Sequence, residues 1–195
     1  MSKYSIYFAY MAIMLVWNAL WIAAPFLAAS GNSGAASAVY GGFSPFCHQL
    51  PERSLCLITA PDGSQSMGDC IVNWSGTEKL DRYTYSDSRG IARELAVDAR
   101  DNTIYLMMFV GGLIYPFVRK KIDDDTTPPI WLLALALIPI AIDGGTQYIG
   151  LRESTNLLRL ITGAIAGIAV PFFAIPLLYY FLPVMKRAFL GSKQP

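Results

Sequence analysis

The sequence is short of charge where a soluble protein would carry it. Charged residues make up 15% of the chain against 54% hydrophobic ones, and they crowd between Glu52 and Asp101. Both ends, and the stretches around Leu113 and Leu135, are dominated by apolar runs. A soluble domain spreads charge along the wet face of every surface helix, so this distribution excludes an ordinary soluble globule. A basic excess is also missing. The net charge of +1 leaves no stripe to neutralise phosphates, which sets nucleic acid aside as a partner. Histidine is reduced to His48 alone. The three cysteines, Cys47, Cys56 and Cys70, lack the two-residue spacing of a zinc knuckle or a thioredoxin-like site. His-Glu-x-x-His, Gly-x-Ser-x-Gly and Gly-rich phosphate loops are absent, so no reaction can be read from a motif. Internal repeats are absent as well, which weighs against a transporter built from inverted halves.

What is present is membrane-length apolar sequence. A helix needs ~20 mainly apolar residues to cross the hydrocarbon core, and Ser5 to Ala29 meets this without one charge. It reads as a retained span rather than a cleaved signal peptide, whose apolar region is shorter. A second span is expected from Thr103 to Val118, with Ile91 to Asn102 supplying a helical extension. It stops at Arg119-Lys120-Lys121, Asp123 to Asp125 and Pro128-Pro129. The third runs from Ile130 to about Gly150, and the fourth from Leu157 to about Met185, kinked by Pro171 and Pro176. The basic clusters Arg119 to Lys121 and Lys186, Arg187 and Lys193 place both termini in the cytoplasm, with Lys3 in agreement. Residues 30 to 102 carry six basic and nine acidic residues and are expected outside. The fold class is therefore an all-α, multi-pass cell-membrane protein with four transmembrane helices and a loop-rich cap at 30 to 90 between spans one and two. One short hairpin is expected near Ser54 to Ile71. In an oxidising compartment one disulfide and one leftover thiol are expected, with the pairing open.

This topology collects polar residues from distant stretches at the outer face: Cys47 and His48; Asp98, Arg100 and Asp101; Asp143 and Gln147; Arg152, Asn156 and Arg159. An ionisable group at the edge of a bilayer is costly unless paired, which makes Asp143 a functional candidate. His48 with Asp98, Asp101 and Asp143 would suit a divalent ion such as zinc, manganese or iron. The structural alternatives are that Asp98 and Asp101 cap span two and that Arg100 or Arg152 pairs with carboxylates. Arg152, Asn156 and Arg159 fall at i, i+4 and i+7, one helical face. Three functions follow: a metal site whose Arg100 or Arg159 orients an anionic substrate or lipid headgroup, an accessory subunit of a larger membrane complex, or a small ion transporter or channel lined by Asp143 and Gln147. Haem ligation would need Met67, Met107 or Met108 beside His48.

The same residues carry a resemblance. Cys47-His48-Gln49-Leu50-Pro51-Glu52-Arg53-Ser54, then Ala99-Arg100 with Ile104-Tyr105, then Ile142-Asp143-Gly144 with Gln147, and Gly150-Leu151-Arg152-Glu153-Ser154 with Asn156, Leu158-Arg159 and Thr162-Gly163 resemble the motif series of an uncharacterised prokaryotic membrane family, domain of unknown function 2085. The match runs from Phe43 to Gly167. The resemblance implies a fold and a site but no reaction. Its pattern has cysteines flanking the Ala-Arg pair where this chain has Asp98 and Asp101. Carboxylates keep metal binding and lose thiol exchange, so a retained role would be metal ligation and a lost one would leave the site inert.

Overall fold

The computed structural model describes residues 4–190, with side chains through residue 182. The basic residues Lys3, Lys186, Arg187 and Lys193, on which part of the orientation rests, lie outside the described residues or side chains. Among the described residues four helices are long and apolar enough to cross a membrane: α1 (Ser5–Ala29), α3 (Ala99–Val118), α4 (Ile130–Tyr148) and a segment of 27 residues, Asn156–Leu182. That last segment is broken into α5 (Asn156–Ala169) and α6 (Pro171–Leu190). Pro171 has no N–H to continue the ladder from α5, which is why the break falls there. The expected span limits therefore hold at α1 and α4, and of the two expected prolines the break falls at Pro171, while Pro176 lies within α6.

The all-α expectation needs correcting. Between α1 and α3 lie a helix, α2 (Ser33–Phe43), and an antiparallel sheet of five strands. These are β1 (Leu55–Thr59), β2 (Gln65–Asp69), β3 (Glu78–Lys79), β4 (Thr84–Asp87) and β5 (Gly90–Glu94), in spatial order β2-β1-β5-β4-β3. The expected hairpin near Ser54 is β1–β2, with Leu55 opposite Asp69 and Thr59 opposite Gln65. Ile91 to Glu94 is not a helical extension of α3. It pairs with β1 on one side and β4 on the other. Each strand is too short and too polar on one face to stand out as a hydrophobic alternation, so the sheet exists by pairing rather than by any one strand's pattern. Helix α2 was hidden by its glycines, yet its buried residues Ala36, Tyr40 and Phe43 are spaced i, i+4 and i+7.

The sheet has its own small core of Cys56, Ile58, Cys70, Tyr85 and Ala92, tied by a Cys56–Cys70 disulfide that leaves Cys47 free and buried. A second core joins the sheet to the helices: Trp21 and Ala24 of α1, Tyr40 and Phe43 of α2, and Leu95 to Val97 just before α3. It fixes the sheet at one end of the bundle, the cap end. Within the bundle, Gly163 and Gly167 of α5 let that helix approach α3 until a Cβ at either would stand 2.7 Å from the Arg100 carbonyl oxygen or 2.5 Å from that of Ile104. Small residues four apart are the usual means of such contact in membranes. Tyr7, Tyr10 and Asn18 of α1 donate to the carbonyls of Gly112, Met108 and Tyr105 on α3, each at 3.1 Å.

Candidate functional site

The site begins at the segment after α2. Gln49 takes a left-handed backbone (φ 52°), a costly conformation for a non-glycine residue. Its buried side chain compensates by donating to the carbonyls of Tyr40 and Ala96, both at 2.9 Å, and accepting from the Tyr83 hydroxyl at 3.1 Å. This turn swings Arg53 and Ser54 toward the start of α3. Asp98 stands at the N-cap position of α3 but caps nothing there. Its Oδ1 accepts instead from the Leu50 N–H and the Ser54 hydroxyl, each at 3.2 Å. The Asp98 N–H in turn donates to Cys47 Sγ at 3.2 Å. Burial pushes the Cys47 thiol up to about 12, so it is a structural acceptor and a poor nucleophile.

Asp143 is almost fully buried and completely engaged. Arg100 donates to Oδ2 at 2.5 Å, Arg152 to Oδ1 at 2.6 Å, and the Ser154 hydroxyl to Oδ2 at 2.9 Å. One carboxylate thus ties α3, α4 and the loop before α5. The shared face expected for Arg152, Asn156 and Arg159 is corrected here. Thr155 caps α5, its side chain accepting from the Leu158 N–H, so Arg152 lies ahead of the helix and reaches Asp143 from the loop. Asn156 and Arg159 do share α5. Asn156 donates to Asp69 Oδ1 at 2.9 Å and accepts from Arg159 at 2.7 Å, while Arg159 also donates to the Glu52 carbonyl at 3.2 Å.

Six of the expected residues line one small pocket of ~130 Å³: Arg53, Asp98, Arg100, Asp101, Gln147 and Arg159. Its donors are only partly spent. Among the described residues the Arg53 guanidinium has no hydrogen-bond or ion-pair partner, and the buried Arg100 Nε and Gln147 Nε2 have no hydrogen-bond partner. The four expected metal ligands are divided: Asp98 and Asp101 line the pocket, Asp143 is held by its arginines, and His48 is exposed and outside the lining. Among the described residues no group of three or more His, Cys, Asp and Glu side chains is placed to hold a metal ion.

Two groups escaped the sequence reading. Ser154 stood within a quoted motif but had no assigned partner. Glu94 carried no signal at all. It is fully buried at the end of β5 with neither carboxylate oxygen hydrogen-bonded. Burial, opposed by the Ser54 hydroxyl and reinforced by the charges of Asp98 and Glu52, pushes its acid up to about 8.

Comparison with known proteins agrees with the motif series. Residues 91–173 match the family described as "Predicted membrane protein (DUF2085)". An uncharacterized protein of Methanocaldococcus jannaschii is 38% identical over 141 residues, covering 72% of this chain and 69% of that protein. An uncharacterized protein of Methanothermobacter thermautotrophicus is 44% identical over 64 residues, covering 32% of this chain and 58% of that protein. No solved structure matches. With the motifs, the four membrane-length helices and these relatives in agreement, the chain belongs to this uncharacterised family of membrane proteins.

Proposed function

We propose that this membrane protein binds a phosphate-bearing headgroup or other oxyanion in the pocket at the cap end of its helices. The observation that carries the reading is the convergence of three guanidiniums, from Arg53, Arg100 and Arg159, on one pocket whose buried Arg100 Nε and Gln147 Nε2 are unspent. Planar guanidinium forks match the oxygens of phosphate and carboxylate. The volume of ~130 Å³ is that of roughly four waters at about 30 Å³ each. It suits one oxyanion and not a nucleotide. Asp143 serves this site by fixing Arg100 from behind. The sheet face is taken as external, because Arg119, Lys120 and Lys121 lie at the opposite end of the helices.

A second reading adds a divalent cation. Asp98 and Asp101 line the same pocket without an ion pair to its arginines, and two carboxylates facing an anion call for a positive charge between them. The cation would be held by these two residues and by the bound anion, with Asp143 remaining on its arginines. No residue is assigned to bond breaking, so the proposal is of binding.

The test is titration of the full chain in nanodiscs with phosphatidic acid and with inorganic phosphate, with and without a chelator. Arg53→Gln is the informative variant, since Arg53 is not spent on holding the fold. It should weaken binding about tenfold, equivalent to ~1.4 kcal/mol. Equal affinity in wild type and Arg53→Gln would overturn the anion reading, and affinity unchanged by chelator would remove the cation.

A further inference from the structure

The pocket of the three arginines lies at the ends of three spans. Arg100 and Asp101 stand in the first turn of α3, Gln147 is the last residue but one of α4, and Arg159 is the fourth residue of α5. Helix α3 has 20 residues and α4 has 19. At about 1.5 Å per residue each is roughly 30 Å long, which is the thickness of a hydrocarbon core. Their ends, and the pocket between them, therefore fall at the level of the headgroup phosphates on the cap side.

The connection from α4 to α5 gives this polar pocket an apolar neighbour. Tyr148, directly after the pocket residue Gln147, is 92% exposed, Ile149 is 65% and Leu151 is 71%. The backbone that presents them is fixed. Gly150 takes φ +73°, and the Ile149 and Leu151 N–H groups donate to the carbonyls of Gly145 and Thr146 at 3.1 and 3.0 Å, the hydrogen-bonded close of a helix that ends in glycine. In that arrangement the apolar residue after the glycine usually packs back on the helix. Leu151 instead stays exposed. On α4 itself Leu135, Ile138 and Ile142, at i, i+3 and i+7, are exposed along one face, and Ile149 continues that series beyond the helix. The turn thus carries the lipid-facing surface of the span past its end. Large apolar side chains held outward are unfavourable in water and favourable at the membrane interface, where tyrosine is enriched.

We infer that the ligand of the pocket is the phosphate of a bilayer lipid that enters sideways from the leaflet, with its glycerol and acyl chains lying along Tyr148, Ile149 and Leu151. The inference rests on the anion reading and narrows it from any oxyanion to a lipid phosphate. The ~130 Å³ of the pocket takes the phosphate group and leaves the rest of the lipid outside, against the apolar turn. Arg53, Arg100 and Arg159 supply the charge, and the turn supplies the apolar area. A free phosphate would use the first and gain nothing from the second. Arg152, directly after Leu151, is held on Asp143, the carboxylate that also holds Arg100. That shared anchor keeps the apolar turn and the pocket in register.

The experiment places the full chain in phosphatidylcholine nanodiscs and offers it the same phosphate in two forms. Glycerol 3-phosphate is titrated from solution by calorimetry, and phosphatidic acid is doped into the bilayer and read by native mass spectrometry as lipid kept on the released chain. Wild type should keep one phosphatidic acid in preference to phosphatidylcholine. The double variant Ile149→Ser, Leu151→Ser should keep about tenfold less, from the lost apolar contact, with its affinity for glycerol 3-phosphate unchanged. Arg53→Gln should weaken both. Equal retention of phosphatidic acid by wild type and the double variant would overturn the inference. Wild type that binds glycerol 3-phosphate but shows no preference for phosphatidic acid would overturn it too, leaving the anion reading with a free oxyanion as ligand. Wild type that binds neither overturns the anion reading and this inference with it. If the double variant binds neither ligand, its pocket is no longer intact and Tyr148→Ser decides by the same comparison, retention equal to wild type again overturning the assignment.

Discussion

Asp143, near the cap end of α4, and Glu94, at the end of β5, are both sealed from solvent, yet their surroundings treat them in opposite ways. Asp143 meets two guanidiniums and a hydroxyl. Neither Glu94 oxygen is hydrogen-bonded, and the nearby Ser54 hydroxyl only partly offsets its burial. In the helical half a charge is kept by surrounding it with partners. In the sheet half burial raises the acid's pKa, so the proton is retained well above the usual carboxylate range. The largest expected effect comes from breaking the first arrangement. Asp143→Ala leaves Arg100 and Arg152 facing each other without their shared anion, and removing one partner of a buried pair costs about 3–5 kcal/mol. Thermal unfolding in mild detergent should show the loss, and a change too small to measure would mean that the arginines find water instead.

Glu94 sharpens the comparison because its effect follows pH. Its acid sits near 4.5 in the unfolded chain and is pushed up to about 8 in the fold, so between these values the folded state holds a proton that the unfolded state has released. Stability from this group is therefore greatest below about 4.5 and falls as pH rises to about 8, at up to ~1.4 kcal/mol for each pH unit of the window. Glu94→Gln should abolish that slope and stabilise the protein by a few kcal/mol at alkaline pH. Parallel wild-type and variant curves from pH 5 to pH 8 would show that Glu94 is already charged and paired.

The contrast also explains what the sequence disclosed. Asp143 was visible because a carboxylate in an apolar run breaks a pattern, and Ser5–Ala29 was bounded correctly because an uncharged run of that length has few other uses. Arg100, Gln147 and Arg159 were brought to one face by topology and Arg53 by the motif resemblance, and the structure gathers them into one pocket. Glu94 was invisible because it sits in a polar-looking strand, Gly-Ile-Ala-Arg-Glu, whose burial depends on β1 and β4 lying alongside. The sheet was lost for the same reason: pairing between residues tens of positions apart leaves little local trace. His48, the one histidine in the chain, is exposed and lies outside the lining of the pocket that gathers the other candidates.

The disulfide tests how far the sheet half depends on covalent support. Cys56 and Cys70 are 14 residues apart, and closing a loop of about that length is worth ~3 kcal/mol. Cys56→Ala with Cys70→Ala should lower the unfolding temperature of the sheet before that of the helices. Amide exchange would resolve this as early loss of protection in β1 and β2, with α3 and α5 unaffected. Simultaneous loss in both halves would mean that the core of Trp21, Tyr40 and Leu95 couples them into one cooperative unit.

The smallest effects compare two glycines within the helical half. At Gly167 an added Cβ would meet the Ile104 carbonyl oxygen at 2.5 Å and its Cα at 2.9 Å, both rigid backbone atoms. Gly167→Ala must therefore push α5 from α3, an overpacking cost of about 1–3 kcal/mol. Gly145, in α4, has nothing within 4 Å of its would-be Cβ, so Gly145→Ala should be neutral or stabilising by up to ~1 kcal/mol through helix propensity. The pair separates two meanings of glycine that look identical in sequence. Because Gly163 and Gly167 approach the backbone of Arg100 and Ile104, widening that seam should also loosen Arg100 on Asp143 and weaken anion binding in Gly167→Ala alone. Unchanged binding in both variants would show that the pocket is held by its ion pairs and not by the helix contact beneath it.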